Sequence, residues 1–198
     1  MKSFSQKKSL LLLLVLAAIF VCLNGCADTA APEKANPMGL KGRYAPEAET
    51  NFALARVLWS DPLTCSDPAL AIEYLDKAIA AAPDYEEAYA RRGLAKSDLR
   101  DWDGAFDDLT KAIRLNPAAQ NYAYRGLISM RGGNSLGAAR DFDRSISLDS
   151  KQHRAWNFRG GLHVLTGDYT KACKDFERGC SNGDCTGLES AKGHGYCR

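Results

Sequence analysis

A period of about 34 residues constrains this chain more than any single motif, because a repeat of that length is one supersecondary unit stacked on copies of itself. Gly93, Gly126 and Gly160 recur at this period, and so do Ala71, Ala105, Ala138 and Ala172. Leu75, Leu109, Phe142 and Phe176 keep that register, as do Tyr89, Tyr122 and Trp156, four residues before each glycine. Four units follow: 52–85, 86–118, 119–152 and 153–186. Each reads as two helices. Asp67, Asp101, Asn134 and Asp168 stand where the second helix should begin, and such side chains accept from the free amides of a first turn. Pro68 suits a first helical position, and Pro83 and Pro117 close two of the second helices. Gly133 and Gly167 mark inner turns. Two helices crossing at about 8–10 Å leave room only for a small side chain, hence the recurring Gly and Ala. The first unit departs from this pattern: Trp59 stands where its glycine should be, which predicts helices that splay, or a unit acting as an amino-terminal cap.

The aromatic, glycine, alanine, second aromatic or leucine, and terminal proline together resemble the tetratricopeptide repeat, over roughly 135 residues. The resemblance implies an all-α fold, an α-solenoid of stacked hairpins over residues 50–186 with a short cysteine-rich cap at 187–198. A second pattern rides on the first. Arg92, Arg125 and Arg159 precede the three glycines, and Asp108, Asp141 and Asp175 follow their arginines at one constant separation. The first unit has Leu58 and Tyr74 instead, so both charges vanish together. Three bidentate pairs bridging the helices of each hairpin are predicted.

The amino terminus reads as an address. Lys2, Lys7 and Lys8 precede an apolar run, Leu10 to Leu23, which is short of the about 20 residues a bilayer needs but fits a secretory signal. Leu23-Asn24-Gly25-Cys26 resembles the lipobox of bacterial lipoproteins, with Asn24 where a small residue is commoner. That resemblance implies a signal peptide over 1–25 and a mature chain beginning at Cys26. The Cys26 thiol would carry a diacylglycerol and its amine an acyl chain, a durable anchor. Ala27, in place of a retaining Asp, favours the outer membrane with the domain facing the periplasm. Residues 26–49 read as a flexible lipid-anchored tether. Without the three signal lysines, 26 basic residues fall to 23 against 24 acidic ones. That balance offers no long-range attraction for nucleic acid.

Export implies an oxidising compartment, so Cys173, Cys180, Cys185 and Cys197 are disulfide candidates. Cys173 and Cys180 are two turns apart on one helix, about 10 Å, too far to pair with each other. That leaves Cys180–Cys185 with Cys173–Cys197, or Cys173–Cys185 with Cys180–Cys197; the short Ser181–Asp184 loop favours the former. Cys65, several repeats away, is expected to be unpaired. A Cys₃His zinc set of Cys180, Cys185, His194 and Cys197 is the rival, at loose spacing. His153 and His163 have no partner at suggestive spacing.

No nucleophile elbow, phosphate loop or zinc-protease helix occurs, so neither catalytic residues nor a cofactor is expected. The resemblance to tetratricopeptide arrays places a partner groove on the first helices. Its positions here are Arg56, Ser60, Glu87, Leu94, Asp98, Gln120, Leu127, Met130, Arg131, Arg154, Asn157 and Val164. Leu94, Leu127, Met130 and Val164 would form an apolar strip; the same four residues could equally be interhelical packing. The basic clamp that reads carboxy-terminal carboxylates in chaperone-binding relatives is absent. The expectation is a membrane-anchored adaptor of the cell envelope that binds a protein or peptide, similar to tetratricopeptide lipoproteins of envelope assembly, pilus biogenesis or peptidoglycan-enzyme scaffolding. Self-association through the groove or first repeat is a second binding mode. An enzyme or metal-binding protein centred on the cysteine-rich end is the alternative.

Overall fold

A computed structural model describes residues 43–61 and 63–198. The signal, the lipid site at Cys26 and the tether up to residue 42 lie outside them. The elements run α1 (Pro46–Arg56), β1 (Trp59–Asp61), β2 (Thr64–Cys65), α2 (Pro68–Ala81), α3 (Glu86–Asp98), α4 (Trp102–Leu115), α5 (Ala119–Arg131), α6 (Ser135–Leu148), α7 (His153–Leu165), α8 (Tyr169–Ser181) and α9 (Thr186–Gly193). The helices pair as α1 with α2, α3 with α4, α5 with α6 and α7 with α8, and each pair stacks on the next. The result is an all-α solenoid.

The four capping residues act as their positions predict. Asp67, Asp101, Asn134 and Asp168 accept from the backbone amides of Leu70, Gly104, Gly137 and Lys171, so each second helix starts one residue later. Gly133 and Gly167 turn with φ of 85° and 80°, the left-handed region. Arg100 holds the same turn in the second hairpin at φ 63°, without glycine's freedom.

Packing follows the small residues. Ala71, Ala105, Ala138 and Ala172 are fully buried at the crossings. A Cβ on Gly126 would lie 2.6 Å from Cε1 of Phe142, and one on Gly160 2.7 Å from the Phe176 ring. Gly93, opposite the smaller Leu109, would meet its Cγ at 3.2 Å. Glycine and ring are therefore one complementary pair per hairpin. Gly126→Ala is expected to cost about 1–2 kcal/mol, and less in a Phe142→Leu background; chemical denaturation of the four chains of that cycle measures the coupling.

The first hairpin differs from the expectation. Trp59 is not on a helix; it opens a short antiparallel pair, Trp59 opposite Cys65, inside the inner turn. That turn runs over residues 57–67, where the other hairpins use three, so the first helix slides back and begins at Pro46. Residues 46–49 thus belong to the helix and not to the tether, and the unit does not begin at residue 52. Nor do the helices splay. Ala48, Phe52 and Ala55 pack on Ala71, Leu75 and Ala78, and Tyr85 stacks on Tyr44 with ring centroids 4.0 Å apart. The Tyr85 hydroxyl donates to Glu49, and burial, with that carboxylate beside it, pushes its pKa up.

The Arg–Asp pattern forms three bidentate pairs. Nε and Nη2 of Arg92, Arg125 and Arg159 donate to Asp108, Asp141 and Asp175 at 2.6–2.8 Å, and the three carboxylates are buried. Those hydrogen bonds raise the arginine pKa values further, against the opposing effect of burial. A second connection was not visible in the repeat pattern. Nη1 reaches back to the preceding unit: Arg92 to Asp76 and Arg159 to Asp143, each at 2.6 Å, and Arg125 to the Thr110 hydroxyl at 3.3 Å. Each guanidinium also faces the aromatic ring three residues earlier, Tyr89, Tyr122 or Trp156. One side chain therefore ties two helices of its own hairpin to the hairpin before it.

Candidate functional site

Stacking places the first helices of three hairpins, α1, α3 and α5, side by side, and a hollow of about 420 Å³ opens across them. Phe52, Ala90 and Tyr124 supply its apolar lining, and Arg56, Glu86, Glu87 and Gln120 its charged and polar groups. Asn116 reaches in from the turn between hairpins and donates to Glu86 at 3.2 Å. A smaller recess of about 150 Å³, lined by Arg56, Trp59, Asp61 and Arg91, adjoins it through the two shared arginines. Arg91 faces the Trp59 ring at 5.4 Å.

Three of the groove positions read from the sequence line this hollow: Arg56, Glu87 and Gln120. The apolar strip does not exist as a surface. Leu94 and Leu127 are buried, Leu94 against Ala105 and Leu109, while Met130 and Val164 are half-buried against neighbouring clusters. Burial wins because an exposed strip would sacrifice the packing that joins the two helices of each hairpin. Asp98 and Arg131 pair with each other at 3.2 Å across α3 and α5, and Arg131 also donates to the Ser97 hydroxyl. Ser60 lies on β1 and not on the first helix of its hairpin. Arg154 is half-buried on α7.

Asn157 serves the carboxy-terminal end. Its Nδ2 donates to the Asp184 carbonyl at 3.1 Å, and its buried Oδ1 has no hydrogen-bond partner. The Asp184 carboxylate lies 3.3 Å from Nδ1 of His153 and accepts from the Thr186 hydroxyl and amide. Burial pulls that carboxyl's pKa upward, but these hydrogen bonds outweigh it and hold it below the usual range. The residues that sequence reasoning missed, Phe52, Asn116 and Tyr124, belong to the displaced first helix, to a turn and to the buried face of α5. None occupies a position that the repeat register marks as groove.

The four carboxy-terminal cysteines pair as Cys173–Cys197, with Cα atoms 5.6 Å apart, and Cys180–Cys185, at 3.9 Å. The zinc set is therefore not assembled: its three sulfurs are divided between two disulfides, and His194 Nδ1 lies against the Ser190 carbonyl at 2.8 Å. Cys65 is in no disulfide, and burial pushes its thiol pKa up. α9 covers the last hairpin, burying Ala191 and Cys197 against Ala172 and Phe176. This helix, from Thr186, forms the cap expected at 187–198.

No family model matches the chain. Tetratricopeptide repeat protein 13 of Homo sapiens is 32% identical over 108 residues, covering 54% of this chain and 13% of that protein. Mitochondrial import receptor subunit TOM70 of Saccharomyces cerevisiae is 33% identical over 84 residues, covering 42% of this chain and 14% of the receptor subunit. The chain thus matches only a small part of either relative's length. Among solved structures, MamA superposes with a TM-score of 0.56 at 27% identity, covering 68% of this chain and 77% of that one. The first repeat domain of Spaghetti (RPAP3), solved bound to the HSP90 peptide SRMEEVD, superposes with a TM-score of 0.54 at 19% identity, covering 61% and 94%. Hairpin geometry and these likenesses agree that residues 46–186 form an α-solenoid of stacked helix-turn-helix hairpins, similar to tetratricopeptide arrays.

Proposed function

We propose that this chain is a lipid-anchored adaptor of the bacterial cell envelope whose concave face holds a protein or peptide partner. The observation that carries the reading is the hollow across α1, α3 and α5, where Arg56, Glu87 and Gln120 surround an apolar floor. An extended segment with mixed polarity suits such a lining better than a flat apolar partner does. The peptide seen in the RPAP3 complex supports the same mode of use for this fold. Anchoring rests on Gly25-Cys26 behind its basic and apolar leader, and the two carboxy-terminal disulfides accord with an oxidising compartment. Ala27 favours the outer membrane, with the domain in the periplasm.

Arg56 and Glu87 are exposed, so replacing both by Ala leaves the packing intact. Capture from solubilised membranes with the wild-type chain identifies bound proteins, and titration of one of them then compares the two chains. The double variant is expected to bind about tenfold more weakly, with an unchanged melting temperature. Equal affinity would remove the hollow from the binding site. Anchoring is checked separately: Cys26→Ala should leave the membrane pellet, and intact mass should lose the acyl groups.

A further inference from the structure

The turns that join the two helices of each hairpin lie along one edge of the solenoid, and each hairpin exposes a large apolar side chain in that turn or within two residues of it. Val57 is 78% exposed, Leu99 53%, Leu136 75%, Leu165 71% and Tyr169 44%. The opposite edge, formed by the connections between hairpins, carries only Leu148 among the described large apolar residues of that exposure. None of these tips is needed for the hairpin stack, since each lies outside the buried clusters. We infer that this edge rests on the lipid bilayer, its tips inserted shallowly among the headgroups.

Three features favour a bilayer over a protein surface. Val57, Leu99, Leu136 and Leu165 are isolated side chains, one per hairpin, while Tyr169 stacks on Tyr196 with ring centroids 4.8 Å apart; isolated tips suit insertion into a fluid layer better than a complementary partner. In charge, Asp98 pairs with Arg131 and Asp168 with Lys171, Asp61 and Asp101 accept from backbone amides, and Arg100 is exposed beside Leu99, where a long basic side chain can reach phosphate. Finally, the short stretch between Cys26 and residue 43 has a contour of at most about 60 Å, so an anchored domain stays within reach of its membrane. The inference rests on the anchoring reading.

The test uses the full chain in phosphatidylethanolamine–phosphatidylglycerol vesicles containing acyl-brominated phosphatidylcholine. Leu136→Trp and Leu165→Trp place reporters on this edge, and Leu148→Trp places one opposite. Emission added over the unsubstituted chain is expected to be quenched roughly twofold more at the first two positions, with little dependence on salt. Equal quenching at both edges overturns the inference. A change at Leu136→Trp that follows protein density and not brominated lipid also overturns it, and assigns the edge to a second copy. Intact mass reports lipidation independently. A chain found without lipid is coupled through Cys26 to maleimide lipid in a Cys22→Ser, Cys65→Ser background, where quenching still reads the edge alone.

Discussion

Asp141→Ala is expected to lower the stability of the domain by about 3 kcal/mol, a fall in melting temperature of roughly 6–10 °C for a unit of this size. The carboxylate is buried and accepts both Nε and Nη2 of Arg125. Without it, the guanidinium keeps only the Thr110 hydroxyl at 3.3 Å and the ring faces of Phe106 and Tyr122. A half-buried cation is then left with too few acceptors, and the loss measures that deficit more than the attraction removed. Two controls separate the terms. Asp143→Ala removes an exposed carboxylate from Arg159 and should cost below about 1 kcal/mol. Replacing the pair together, Arg125→Met with Asp141→Leu, should recover most of the loss, because no charge remains to be desolvated. Urea denaturation gives all three. A loss under about 1 kcal/mol for Asp141→Ala would mean that solvent satisfies Arg125 where it stands.

Removing the Cys173–Cys197 bond, by Cys173→Ser with Cys197→Ser, is expected to cost about 3 kcal/mol. The bond closes a loop of 24 residues' separation, and the chain-entropy estimate for that length is about 3.5 kcal/mol. The short ring closed by Cys180–Cys185 should contribute less, about 2 kcal/mol. The two losses also differ in place. Cys197 is buried beneath the end of α9, so without its bond the terminal turn and α9 are held chiefly by Ala191 and Leu188. Hydrogen exchange should accelerate first in residues 186–198 and only weakly in α3 to α6. Uniform acceleration across the solenoid would instead show that the cap governs cooperative unfolding of the whole stack, as end units of repeat arrays can.

The hairpin stack was legible because its determinants are local and periodic. A capping side chain needs only its own first turn, so Asp67, Asp101, Asn134 and Asp168 announce the second helices. Glycine and alanine recur wherever helices cross, and arginine and aspartate keep a fixed separation because every hairpin brings the same two positions together. The first hairpin was misread for the complementary reason. An inserted turn breaks the register, and counting back one period from Gly93 lands on Trp59 in a strand.

The groove was the least legible part. Whether Leu94 faces a partner or a neighbouring helix depends on the crossing angle of a stack, and no residue in the sequence states that angle. Met130 and Val164 share the ambiguity, and the structure resolves it toward the core. Asn116 enters the hollow only because a turn curls over it.

Spacing along the chain thus determined the helix pairs, their caps and the buried arginine–aspartate bridges, since all of these join residues within one repeat unit. Contact between units was settled only in three dimensions: the arginine reach to Asp76 and Asp143, and the residues that surround the hollow. Those features depend on how one hairpin rotates against the next, a rotation set by the summed shapes of many side chains and by no single one of them.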